Sequence, residues 1–146
     1  MKSFKVDQTW IKNLESASHM ATHKEVLKWI YDATLHVSHE IPDAYPLVKT
    51  QIEAIDLWIQ GTLKTIDLKT HAYLCHDLAR RTDVLAEKYF FRACGHACAS
   101  AHVKAHAIKA ATYLIKCLNE YHKDTQKIEQ EKDWQYHHLL NLSIKR

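Results

Sequence analysis

Ala93-Cys94-Gly95-His96-Ala97-Cys98-Ala99-Ser100-Ala101 is the stretch on which the fold turns. Small side chains at nearly every position leave no wide polar face, and such a segment is ordinarily surrounded by protein. They also let neighbouring helices approach closely, because axis separation is set by the residues at the contact. The run sits inside a longer interval, Asp83 to Glu120, with no proline and Gly95 as its single glycine. That interval reads as one helix of about ten turns, or as two helices joined by a bend near His106. Either way its place is the centre of a helical bundle.

Outward from this rod, the flanking segments carry helix signals of their own. Trp10, Ile11 and Leu14 stand at helical spacing in the opening stretch. Thr22 and Glu25 form a capping box, in which each side chain satisfies a backbone N–H left unpaired at a helix start. Val26, Leu27, Ile30, Ala33, Leu35 and Val37 carry that helix to about Glu40. Pro42 and Pro46 bracket the connection, and Pro46 suits the first turn of the next helix. Ile52, Ile55, Leu57, Trp58 and Ile59 give it an apolar side, and Gly61 is a natural left-handed stop. Thr65 is placed to cap a third helix, with Asp67 in its first turn and Ala72, Leu74, Cys75, Leu78 and Ala79 as its buried stripe. Trp29, Tyr31 and Trp58 read as core residues. Lys123 to Lys132 reads as a solvated face of a last helix, Thr125 to Leu142, whose later part carries Trp134, Tyr136, Leu139, Leu140 and Leu142.

The totals agree with this picture. Among 146 residues there are two Gly and two Pro, too few for the tight turns of a β-sandwich or barrel of this length. Hydrophobic residues at 47% and charged residues at 25% are ordinary for a globular chain and exclude wholesale disorder. The expected architecture is all-α: an antiparallel bundle of five to six helices around a long central Ala/Cys/His-rich helix. It forms a single domain over residues 1–146, with 1–21 an appended N-terminal segment and 22–142 the bundle. The net charge of +3 comes with acidic residues interspersed throughout, so no basic surface for nucleic acid is expected. No stretch reaches the roughly 20 apolar residues of a membrane span. The opening Met1-Lys2-Ser3-Phe4-Lys5-Val6-Asp7 lacks the apolar core of a signal peptide, which points to the cytoplasm.

Chemistry is concentrated in the cysteines and in twelve histidines. Cys75, Cys94, Cys98 and Cys117 all fall in expected helices; Cys94 and Cys98, one turn apart, are poorly placed for a disulfide, and all four read as buried free thiols. His102 and His106 are spaced one helical turn apart, a spacing that can chelate zinc or another divalent metal. His96 lies about 120° around a straight helix from His102, so the three could not converge on one ion. No carboxylate lies between Glu87 and Glu120, Val103 stands where a zinc-protease pattern needs Glu, and no Glu-x-x-His repeat of a di-iron bundle is present. A metal would have to recruit His71, Cys75 or His76 from the preceding helix. The simpler reading makes His96, His102 and His106 interior or interface residues hydrogen-bonding between helices. No phosphate-cradling glycine loop is present, and a cysteine in so apolar a segment lacks the electropositive, accessible setting of a nucleophile. An enzyme is not expected.

The segment Arg92-Ala93-Cys94-Gly95-His96-Ala97-Cys98-Ala99-Ser100-Ala101-His102-Val103-Lys104-Ala105-His106-Ala107 resembles the hallmark of a family of bacterial immunity proteins, the Imm-5-like family. That hallmark is approximately Arg-Ala-Ala-Gly-His-Ala-x-Ala-x-Ala-His-x-x-x-His-Ala. Ala110-Ala111-Thr112-Tyr113-Leu114 is similar to the small-residue stretch that follows it, and Gln51 to Gly61, with Trp58, to an upstream Ala-Ile-Glu-Ala-x-x-x-Trp-x-x-Gly. Trp29-Ile30-Tyr31-Asp32 resembles the family's first helix and Glu131-Lys132-Asp133-Trp134-Gln135 its C-terminal Trp-Gln. The likeness runs over roughly residues 22 to 140 and departs at Ala33-Thr34-Leu35, at Tyr45 and Leu47, and after Leu139, where a proline is missing. It makes Arg92, Gly95, His96, His102, His106, Tyr113, Trp58 and Trp134 the hallmark positions. It implies a helical cytoplasmic protein that binds a cognate toxin or bacteriocin without catalysis and without a cofactor. The alternative carried by the residues alone is a metal- or small-ligand-binding bundle using His102 and His106, with zinc or another divalent ion.

Overall fold

The computed structural model describes residues 4–144; the first three residues of the charged opening and the last two of the chain lie outside it. Among the described residues there are seven helices and no strand: α1 (Gln8–His19), α2 (His23–Ser38), α3 (Tyr45–Ile59), α4 (Thr65–Arg81), α5 (Leu85–Ala99), α6 (His106–His122) and α7 (Thr125–Ile144). None is long and apolar enough to cross a membrane. The all-α expectation holds, but the helices number seven rather than five or six.

Several ends follow from local chemistry. At α2 both halves of the capping box form: Glu25 N–H donates to Thr22 Oγ1 at 3.1 Å, and Thr22 N–H to Glu25 Oε1 at 2.8 Å. Gly61, at φ +83, ends α3. Its N–H reaches Trp58 O and Thr62 N–H reaches Leu57 O, which together satisfy two carbonyls of the last turn. Thr65 does not cap α4. Lys64 holds the cap position without a side-chain bond, because the Thr65 hydroxyl accepts the Trp58 indole N–H at 2.8 Å. Leu74 leaves the expected buried stripe and is exposed, while Leu68, Ala72, Cys75 and Ala79 form it.

Of the two readings of the central interval the second holds: it is two helices joined by a bend just before His106, so no single long central helix is present. After Ala99 the chain turns through residues 100–105 and re-enters helix at His106, so α5 and α6 fold against each other as an antiparallel hairpin. Tyr89 pairs with Tyr113 at the far end and His96 with His106 at the near end. The break has no proline or glycine. Instead the Ser100 hydroxyl turns back on Ala97 O, a local bond that competes with helix continuation. His23 Nε2 meets Ser100 O at 2.6 Å, and Lys104 Nζ donates to Ser18 O and Ala21 O at 3.0 and 3.4 Å. The turn is therefore held by residues from α1, α2 and the link between them.

With the hairpin at its middle, α4 packs on α5, α2 on α6, and α1 and α7 close the other side. Phe90, Phe91, Ala93, Cys94, Ala97 and Cys98 of α5 and Ala107, Ala110, Ala111, Leu114 and Ile115 of α6 are buried, as the small-residue pattern required. Trp29 is fully buried and donates to Gln135 O at 2.8 Å; Trp10 donates to Lys132 O at 3.0 Å. Tyr31 and Trp58 are only partly buried against this core. The supposed solvated run on α7 buries two charged residues, Glu131 and Lys132. Glu131 meets His36, and Lys132 pairs with Asp7 and Glu129, so neither charge is stranded.

Candidate functional site

The bend at residues 100–105 decides what the central histidines can do. On a straight helix His96 and His106 would be far apart along the axis. In the hairpin their Nδ1 atoms lie 3.2 Å apart, and the rings stack at 5.4 Å between centroids. His96 is also stacked on Tyr113 at 5.4 Å and meets His76 of α4 edge-on at 5.0 Å. Arg92 Nη1 donates to His76 Nδ1 at 2.8 Å. Five hallmark positions, Arg92, Gly95, His96, His106 and Tyr113, thus converge on one cluster.

Gly95 has a steric reason. A Cβ at this position would lie 2.6 Å from Cε1 and Nε2 of His76, so the imidazole edge occupies the space a side chain would need. An Arg always donates, so His76 Nδ1 accepts and its remaining proton sits on Nε2, the edge pressed on Gly95. In the His96–His106 contact one neutral ring donates and the other accepts. Burial, then the neighbouring His76, His106, Lys109 and Arg92, hold His96 down to a pKa of about 4. His76 is lowered by burial and Arg92, Arg80 and His106, and His106 by burial and Lys109. The cluster is a set of neutral imidazoles in a positive field.

Beside it lies a cavity of about 330 Å³, lined by Lys69, Ala72, Tyr73, His76, His96, Ala99, His102 and His106. His102 stands on the turn and is exposed rather than interior, so the bend overturns both its expected burial and its helical pairing with His106. The two still share the cavity. Among the described residues no group of three or more His, Cys, Asp and Glu is arranged to hold a metal ion. His76, read from the sequence only as one of three residues a metal would have to recruit, is singled out by Gly95, a glycine inside a helical run whose space its ring fills.

The other hallmark tryptophans lie elsewhere. Trp58 faces His23 at 5.4 Å and so sits under the hairpin turn. Trp134 is stacked between His36 at 4.0 Å and His138 at 4.9 Å, on a second cleft of about 340 Å³ whose walls include Glu40, His122 and Glu131. Here His36 Nδ1 meets Glu131 Oε1 at 2.7 Å, and Gln135 donates to Glu131 Oε2 at 3.0 Å. Burial raises the Glu131 pKa against the lowering influence of Gln135 and His36.

All four cysteines are free and buried. Burial pushes the Cys117 thiol up to about 12 and Cys94 well above the usual range; a hydrogen bond with Cys75, then burial, does the same for Cys98. These thiols are not poised as nucleophiles.

Fold and site together define an all-helical protein built on an antiparallel small-residue hairpin with a histidine cluster at its turn. The chain matches the family described as Imm-5 like putative immunity protein over residues 16–142, and it belongs to that family. The match reaches back into α1, beyond the stretch on which the hallmark alone was visible. No curated protein and no solved structure matches the chain.

Proposed function

We propose that this chain is a non-catalytic immunity protein that protects a producing bacterium from within the cytoplasm by binding a cognate toxin or bacteriocin. Membership of the Imm-5-like family over residues 16–142 is the observation that carries this reading. An immunity protein of this kind works by presenting a complementary surface and needs no reacting group. Two features support it. The four thiols are free and buried, and the outer face of α4 leaves Ile66, Tyr73 and Leu74 exposed at 60%, 61% and 45%, apolar surface suited to a protein partner. The test is co-expression with a toxin encoded beside its gene. Rescue of growth together with a co-purifying complex is the expected result. Rescue without a complex would replace binding by some other protection, and failure to rescue would remove the immunity reading for that toxin.

A further inference from the structure

The cavity at the hairpin turn has a consistent electrical character. Its titratable lining residues are Lys69, Tyr73 and His76 from α4, His96 from α5, His102 from the turn and His106 from α6; none is a carboxylate. Arg92 and Lys109 add positive charge to the same imidazoles, and Tyr113 lies flat on His96. The acid nearest in sequence on α4, Asp77, is taken by Arg80 and Arg81. A divalent metal suits this place poorly. His76 is committed at Nδ1 to Arg92 and at its Nε2 edge to Gly95, His96 and His106 turn Nδ1 toward each other, and cations already surround the rings. The committed nitrogens disfavour a metal, and the positive surroundings without a carboxylate disfavour a cation and favour an anion.

We propose that this cavity is a binding site for a small organic oxyanion, a carboxylate or phosphate monoester on a compact apolar body, held by Lys69, His96, His102 and His106. The size is at the lower end of small-ligand sites, and Ala72, Ala99 and the Tyr73 ring supply apolar wall for the body of the ligand. In the empty site burial and the neighbouring positive groups disfavour the charged form of the His96 and His106 rings. An anion supplies the missing negative charge, so one imidazole of the His96–His106 pair takes a proton from solvent as the ligand enters, and no other bond is made or broken. The proposal does not rest on the toxin-binding reading, although Tyr73 borders both surfaces; its test uses the isolated chain, so either can fail alone.

The experiment is imidazole NMR on the full-length untagged protein, titrated with inorganic phosphate, phenyl phosphate and benzoate against chloride at matched ionic strength. The organic anions are expected to shift the His96 and His106 resonances saturably and to move their titration midpoints upward. Phenyl phosphate should bind more tightly than inorganic phosphate, because it fills the apolar part. Lys69→Glu, on an exposed side chain, should weaken binding roughly tenfold or more without lowering the melting temperature of the free protein. His106→Gln should abolish the upward shift at His96. Absence of any saturable change up to about 10 mM of all three anions would overturn the proposal. So would shifts unaltered by Lys69→Glu, or shifts produced by stoichiometric zinc and by none of the anions.

Discussion

His96 Nδ1 and His106 Nδ1 meet 3.2 Å apart across the hairpin of α5 and α6, although the two residues would lie on different turns of any continuous helix. Their contact exists only because the chain bends at residues 100–105. It also fixes their protonation, since two imidazolium rings could not share that contact. The acid–base behaviour of the pair is therefore a direct readout of the hairpin.

That readout predicts a pH dependence. His96 titrates near 6.5 in the unfolded chain and at about 4 in the folded one, so between these values the unfolded state holds the extra proton. The stabilising contribution is complete above about pH 6.5 and is lost as pH falls towards 4. After discounting for solvent screening it is on the order of 2 kcal/mol. His76 and His106 act with the same sign. Urea unfolding at about pH 4.5 and about pH 7.5 should show a smaller stability difference in His96→Phe than in the wild type. An unchanged difference would mean that His96 is not buried as described.

Gly95→Ala tests the packing of the cluster. The new Cβ would meet the His76 ring at 2.6 Å, and the ring cannot retreat without losing Arg92. A cost of about 1–3 kcal/mol is expected from thermal or denaturant unfolding. His76→Ala empties the space the methyl group needs. The double variant should be less destabilised than the sum of the two singles. Simple additivity would show that the glycine serves the backbone rather than the imidazole.

The contrast between these two residues shows where sequence was sufficient. The capping box at Thr22 and Glu25, the stop at Gly61 and the burial of the Ala93 to Ala101 run follow from local rules, and the structure carries each of them. The turn after Ala99 does not, because no breaker residue marks it and its anchors, His23 and Lys104, act through tertiary contacts. Once the bend was unspecified, the histidine geometry was too. A straight helix separated His96 from His106 and paired His106 with His102, whereas the hairpin does the reverse for His96 and moves His102 to the rim. Glu131 and Lys132 failed for a related reason: a charged run looks solvated until the residues that pair with it, His36 and Asp7, are known.

Lys104 is the residue on which the bend leans most. Its ammonium donates to two carbonyls, Ser18 O in the last turn of α1 and Ala21 O in the link to α2. Lys104→Met keeps the apolar stem and removes both bonds. Destabilisation by about 1–2 kcal/mol is expected. Hydrogen exchange should accelerate at the amides of residues 100–105 before it does so in α2. Uniform acceleration across all helices would instead indicate that the turn is not a separately opening unit.

The second cleft offers a test of sign. Glu131 is buried and burial raises its pKa, so its charged form is disfavoured in the folded state, whereas its partner His36 is 46% exposed. The stability linked to Glu131 is complete below about pH 4.5, its unfolded value, and declines as pH climbs through the raised folded value. Removing the carboxylate by Glu131→Gln strands no buried charge, so the variant should be at least as stable as the wild type at neutral pH and should lose that part of the decline. Removing the histidine is the opposite case. His36→Ala leaves a buried carboxylate oxygen without its 2.7 Å partner and uncovers one face of Trp134, with an expected cost of about 1–3 kcal/mol at neutral pH. Denaturant unfolding of the two variants side by side decides the matter. If Glu131→Gln proves the more damaging substitution, the ion pair rather than the desolvation governs this cleft.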